Sequence, residues 1–365
     1  MATSYDVSDR KMFDDVGDGG GNDGSEALAG RHALDACREI ARRAFDRVRA
    51  AVRGRDEVIE WILNALLADG HVLLEDFPGS GKTTLAKALG EAIVDDRPEE
   101  QRGPIEAFRR IQFTPDLLPS DILGTSIFEP QSGRFTFRPG PIFAHVVLAD
   151  EINRTSPKVQ AALLEAMAEK QVTVDNRTLP LDGLFFVIAT QNPLDIAGTY
   201  PLPVAQLDRF LFKIRMEHID RQAELEVLRS MRERQDNPGG GLKKVTRGEI
   251  LRARRVIQEE VFLHPMVQEA LVDIANAVRS DRRVLQGVST RALVLAVPAL
   301  KTRALMSGRS YVDSEDLEVV LPLVFQHRLE LGAAGQDPKE ITREAMAPAL
   351  ERLARAALVR TAADR

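Results

Sequence analysis

Three short, wholly apolar runs mark the first half of the chain, and helical patterns fill the last third. The runs lie before Glu75, at Val146–Ala149 and at Leu184–Thr190. Each has strand length and none alternates apolar with polar positions, which predicts strands covered on both faces, as in a parallel sheet. Ala107–Phe113 and the apolar segment after Arg209 add two more strands. Ahead of the first strand, Leu34, Cys37, Ile40, Ala44, Phe45, Val48 and Val52 recur at helical spacing, and Asp56–Ala68 gives a second helix. Leu85–Leu89 is helical in pattern. Ser156–Glu169 is amphipathic, with Val159, Leu163, Ala166 and Met167 on one side. Gln171–Val174 and Arg177–Leu181 flank Asp175-Asn176, a hairpin signal. Residues 133–141 alternate basic and aromatic side chains between breakers. They read either as a partner-contacting or pore hairpin, or as a strand in which Phe135 and Phe137 share a buried face.

From Asp220 onward the pattern is helical, over Ala223–Met231, Arg247–Glu259, Pro265–Val278, Thr290–Met306, Ser314–His327 and Pro338–Ala357. A flexible link at Asp236–Gly241 separates the first two. The change near residue 219 predicts an α/β domain over 31–218 and a smaller all-helical domain over 219–365. Residues 1–30 carry Asp6, Asp9, Asp14, Asp15, Asp18, Asp23 and Glu26 against Arg10 and Lys11, and read as a disordered acidic tail.

Composition narrows this picture only modestly. With 365 residues, 44% hydrophobic and 28% charged, the chain has the balance of a globular protein of two domains. No apolar stretch approaches the ~20 residues needed to span a bilayer, and the first residues lack a charged-then-apolar signal pattern. The single Cys37 excludes an internal disulfide and sits at core spacing with Leu34, Ile40 and Ala41. A cytoplasmic location is therefore expected. The net charge of −6 argues against a generally nucleic-acid-binding surface. The six histidines are too scattered to suggest a zinc site.

The candidate chemistry lies at the ends of the apolar strands. After the first comes Pro78-Gly79-Ser80-Gly81-Lys82-Thr83-Thr84, then a helix. Gly79 and Gly81 let the backbone curl with its N–H groups inward, Lys82 supplies a point charge for phosphates and Thr83 a hydroxyl for magnesium. The following helix turns its positive end to the same place. Asp76 stands where the full phosphate-loop pattern has its first glycine, but the phosphate-facing half is intact. The run Val146–Ala149 ends in Asp150-Glu151, at the sheet edge where open parallel sheets place ligands. One carboxylate can hold the magnesium shell while its neighbour polarises an attacking water. Asn192, at the end of the third run, reads either as a ligand for phosphate and water or as a turn residue before Pro193.

Together these segments resemble the AAA+ ATPases, and within them the MoxR family. The resemblance rests on Glu75–Thr83, Gln112-Phe113-Thr114-Pro115-Asp116-Leu117-Leu118-Pro119-Ser120-Asp121, Leu148–Arg154, Ala189–Pro193 and Gln206–Phe210, and spans roughly 40–330. It implies a P-loop core, a parallel sheet flanked by helices, followed by a helical lid. It also implies ATP with Mg2+ bound between the subunits of a ring, usually a homohexamer. By position, Lys82 and Thr83 belong to Walker A, Asp150 and Glu151 to Walker B, and Asn192 to sensor 1. Arg209 corresponds to the finger reaching a neighbour's site, with Arg154 the alternative, and Arg291 to sensor 2. Segments 125–141 and 171–181 correspond to extra hairpins that contact substrate. Where the family has Ser-Pro-Arg, this chain has Ser289-Thr290-Arg291, which leaves the start of that lid helix less fixed.

The function implied is ATP-driven remodelling, assembly or activation of other proteins, with a partner carrying a von Willebrand factor A domain. Two alternatives stand beside it. One is a nucleic-acid-directed motor, for which Lys170 and Arg177 against Glu169, Asp175 and Asp182 give thin positive charge. The other is a nucleotide-dependent scaffold with little turnover.

Overall fold

The structure, a computed structural model, describes residues 23–75, 80–192, 198–230, 241–333 and 335–363, with side chains placed from 29 to 356 within those ranges. The first part of the acidic tail, the link at Asp236–Gly240 and the loop residues Asp76, Phe77, Pro78 and Gly79 lie outside the described residues. Two compact units emerge. One comprises Arg38–Arg255, and the other the described residues before Arg38 and after Arg255.

The larger unit is built on a five-stranded sheet of β1 (Val72–Glu75), β2 (Glu106–Gln112), β3 (Ala144–Asp150), β4 (Phe186–Gln191) and β5 (Phe212–Arg215). The spatial order is β5-β1-β4-β3-β2 and every pairing is parallel. All seven residues of β3 are buried, as its unbroken apolar run requires of a strand with neighbours on both sides. β2 is an edge strand, as is β5, and its Glu106, Arg109, Arg110 and Gln112 are exposed.

The two sheet faces are covered differently. Leu73, Val147, Ala149, Val187 and Ala189 point into one core with Val159, Leu163 and Leu164 of the helix Pro157–Glu169. On the opposite face lies the helix Lys82–Ala92, against β2 and β3. It approaches so closely that a Cβ on Gly90 would stand 2.6 Å from Phe108 Cβ, which explains a glycine in mid-helix. The helix Asp23–Ala51 starts earlier than the apolar repeat announces, so Asp23–Gly30 of the acidic stretch is helical. Cys37 is buried in it.

Both hairpins form. Gln171–Val174 pairs antiparallel with Arg177–Pro180, and Asp175 and Asn176 take the left-handed conformations, φ 49° and 60°, of a two-residue turn. Gly124–Glu129 pairs with Arg134–Pro139, and here the two sequence readings divide along one face. Phe137 packs edge-on against Phe143 at the core, while Phe135 stacks on Phe128 further out and both remain exposed.

The smaller unit is helical, with Pro265–Ser280, Thr290–Met306, Ser314–Phe325 and Pro338–Ala363 as its long elements. The last of these packs on the first and third, and the second packs on the third. Arg309 grips the buried Asp316 through two 2.7 Å hydrogen bonds, and Asp316 also accepts from Asp313 N–H to close the capping box of the third helix. The second helix has a firm start without the family's proline, because Ser289 Oγ accepts from Ala292 N–H at 3.2 Å.

A buried histidine ties the sheet to the helix beneath it. Val187 N–H donates to His71 Nδ1 at 3.1 Å, so the ring proton sits on Nε2, facing Met167 carbonyl at 3.3 Å. Burial pushes this imidazole down to about 4, so it stays neutral. Between pH 6.5 and 4 the unfolded chain binds a proton here that the native chain refuses, and stability must fall as pH falls through that window. The loss is about 3 kcal/mol at its full extent. His71→Gln is expected to flatten the dependence of the urea midpoint between pH 6.5 and 4, relative to the natural chain. An equally steep dependence in the variant would assign it to other groups.

Candidate functional site

The functional side chains gather at the carboxyl ends of β1, β3 and β4. The helix Lys82–Ala92 leaves the loop after β1 through Gly81, whose φ of 92° suits only glycine. Among the described residues no side chain caps this helix, and none lies within 4 Å of the place a Gly81 Cβ would take. Ser80 Oγ is buried and has no hydrogen-bond partner among the described residues. The backbone N–H groups of a helix N-terminus suit an anion such as phosphate. Lys82 opens the helix and Thr83 and Thr84 follow in its first turn; Pro78 and Gly79 lie outside the described residues. Arg55, buried at the start of the helix Asp56–Leu67, donates to the carbonyls of Ser80, at 3.4 Å, and Glu217.

The acidic pair is held by a residue that the sequence reading missed. Thr190, fully buried on β4, donates from Oγ1 to Asp150 Oδ1 at 2.7 Å and accepts Glu151 N–H at 2.9 Å. One hydroxyl thus fixes both acids. Glu151 stands at φ 59° and ψ 48°, a left-handed conformation that costs a non-glycine residue about 1 kcal/mol. The turn ends the strict alternation of the strand, so both carboxylates reach one hydrogen-bond network on the face of Gln112.

Their remaining oxygens are engaged from β2. Arg110 donates to Asp150 Oδ2 through Nε at 3.1 Å and Nη2 at 2.6 Å, and Nη2 also reaches Gln112 Oε1 at 2.7 Å. Gln112 Nε2 donates to Glu151 Oε2 at 2.8 Å, and Arg154 Nε lies 3.4 Å from the same oxygen. Arg110 and Gln112 share a strand face with Asp150 because residues two apart point the same way and Gln112 pairs with Asp150 in register. The alternation was visible in the sequence; the register was not. On the other face Glu75 Oε1 accepts from Gln191 Nε2 at 2.6 Å and Lys213 Nζ at 2.7 Å, tying β1, β4 and β5 together beside Asn192.

Arg209 follows the short helix Val204–Leu207 by two residues, and its Nε is buried with no hydrogen-bond partner among the described residues. Arg291 lies exposed in the first turn of Thr290–Met306, in the smaller unit. Oxygen donors of the kind that Asp150 and Thr83 carry fit a hard divalent cation. Site residues and a nucleotide with its cation are therefore chemically compatible.

A parallel sheet in this order, a lysine-led helix leaving its first strand and paired acids ending its third define a P-loop nucleotide-binding fold with a helical lid. Residues 71–212 match the ATPase family associated with various cellular activities, and 276–349 match its lid domain. The chain is 43% identical over 309 residues to the uncharacterized Bacillus subtilis protein YeaC, covering 83% of this chain and 92% of YeaC. To the chaperone MoxR1 of Mycobacterium tuberculosis it is 37% identical over 318 residues, covering 84% and 78%. A crystal structure from Cytophaga hutchinsonii superposes with a TM-score of 0.78 at 35% identity, covering 88% of this chain and 98% of that one. The chain belongs to the MoxR family of AAA+ ATPases.

The hydroxyl and the strained turn make opposite predictions for stability. Thr190→Val leaves Glu151 N–H and Asp150 Oδ1 unmatched in a buried place, at a cost of about 2 kcal/mol, and should lower the thermal midpoint by about 5 °C. Glu151→Gly relieves the left-handed strain and should raise it by about 3 °C. A lowered midpoint in Glu151→Gly would mean that the bonds from Gln112 and Arg154 outweigh the strain.

Proposed function

We propose that this protein hydrolyses ATP, with Mg2+, at a site completed between copies in a homomeric ring, a hexamer by family resemblance, and uses the cycle to remodel or activate partner proteins in the cytoplasm. The observation that carries the reading is the convergence, at one sheet edge, of a helix N-terminus with no side-chain cap among the described residues and two adjacent carboxylates held in one hydrogen-bond network. That is the arrangement phosphoryl transfer to water needs: a cradle for anionic oxygens beside a base.

In this reading the loop Pro78–Gly81, through the N–H groups of Gly79, Ser80 and Gly81, and Lys82 Nζ bind the phosphates, and Thr83 and Asp150 hold the cation. The cation, when bound, supplies positive charge to the phosphate oxygens. Glu151 accepts the proton of the attacking water, and Asn192 orients that water. Arg209 neutralises charge in the neighbour's site, in keeping with its buried, unmatched Nε. Arg291 does so from the lid. Thr84 completes the first turn of the cradle helix.

Protein partners are favoured over nucleic acid. Lys170 at the base of the 171–180 hairpin is paired with Asp69 at 2.5 Å, which leaves that hairpin still less positive charge for phosphates. The name of the relative MoxR1, a chaperone, supports protein remodelling as the output. A von Willebrand factor A domain partner follows from the family resemblance. No helix among the described residues is long and apolar enough to cross a membrane.

Steady-state ATP hydrolysis against protein concentration tests this directly. Specific activity should rise with concentration, Glu151→Gln should bind ATP with turnover reduced at least about 100-fold, and Arg209→Ala should lose about as much. Mixtures should show the loss cooperatively. Activity independent of concentration and indifferent to Arg209 would refute a site completed by that residue, and Arg154→Ala would then be the informative variant.

A further inference from the structure

Both carboxylate oxygens of Asp150 already have partners. Thr190 holds Oδ1, and Arg110 grips Oδ2 through two nitrogens. The two partners differ in freedom. Thr190 is fully buried within β4, whereas the Arg110 side chain is 47% exposed on the edge strand and that of Asp150 only 8%. A carboxylate so poor in solvent needs a positive neighbour.

We propose that Arg110 is a place-holder for the divalent cation, occupying Asp150 Oδ2 in the resting protein and displaced when nucleotide brings the metal. The inference rests on the ATP-binding reading of this site. A guanidinium and a divalent cation on one carboxylate oxygen compete, because like charges at that separation repel strongly away from bulk water. Of the two groups on Asp150, only Arg110 has solvent to move into. Its departure also removes the 2.7 Å bond from Nη2 to Gln112 Oε1, and Gln112 is the residue whose amide holds Glu151 Oε2. Arrival of the cation at one acid thus loosens the restraint on the other. Arg110 sets how much free magnesium the site requires before Glu151 is released.

The test is a binding measurement: Mn2+ titrated by electron paramagnetic resonance into protein saturated with a non-hydrolysable ATP analogue. Arg110→Gln should bind Mn2+ roughly five- to tenfold more tightly than the natural chain, as expected for losing one partly exposed ion pair that competes with the metal. Arg110→Lys, which keeps the charge but not the forked geometry, should fall between, and decides the matter if the glutamine variant does not fold. Arg109→Gln makes the same change in net charge on a side chain paired with Glu106, and should stay within about twofold. In an Asp150→Asn background the gain from Arg110→Gln should vanish.

Unchanged or weaker Mn2+ binding in the Arg110 variants, or an equal gain in the Asp150→Asn background, overturns the proposal while leaving nucleotide binding intact. Absence of analogue-dependent Mn2+ binding in every variant, the natural chain included, overturns the ATP-binding reading and the place-holder with it.

Discussion

One hydroxyl organises the chemical edge of the sheet. Thr190 donates to Asp150 and accepts from the backbone of Glu151, so two adjacent acids at the end of a buried strand are fixed by a neighbour on the next strand. Without that anchor the left-handed turn at Glu151 would be unsupported, since glutamate has no intrinsic preference for it. The strain belongs to the site, not to the sheet. It is maintained because β3 and β4 are buried on both faces and cannot yield.

Around this pair the sheet divides its labour by face. The face carrying Phe108, Arg110, Gln112 and Asp150 receives the lysine-led helix, packed so close that Gly90 is needed. The opposite face receives Pro157–Glu169 and an entirely apolar core. Buried polar groups sit at the amino end of the sheet, His71 and His145 among them, and at the carboxyl edge Glu75, Gln191 and Lys213 link three strands, as do Asp150, Thr190 and Arg110. The acids Glu75, Asp150 and Glu151 have Lys213, Arg110 and Arg154, respectively, within 4 Å. The edge is thereby preorganised and nearly neutral before any ligand arrives.

The hairpin Gly124–Pro139 shows the same economy in apolar groups. Its aromatic face begins inside, with Phe137 against Phe143, and continues outside as the Phe128 and Phe135 pair. The inner half anchors the hairpin to the core. The outer half presents 51% and 67% exposed aromatic rings, far above what folding alone requires.

The sequence by itself determined the elements. Runs such as Val146–Ala149 can only be covered strands, Asp175-Asn176 can only turn a short hairpin, and a lysine after paired glycines marks a phosphate-binding helix; all of these are local facts of side-chain period and backbone freedom. It also named the acids, the lysine and the arginines with assigned roles. What it could not give was register. Arg110, Gln112, Thr190 and Glu75 are ordinary strand residues until the order β5-β1-β4-β3-β2 sets Gln112 beside Asp150 and Glu75 beside Gln191. Hydrogen bonds between strands 40 or more residues apart depend on which strands become neighbours and at what offset, and no local pattern encodes either. The tertiary structure alone decided that Asp150 meets an arginine from the sheet's exposed edge and a threonine from its core.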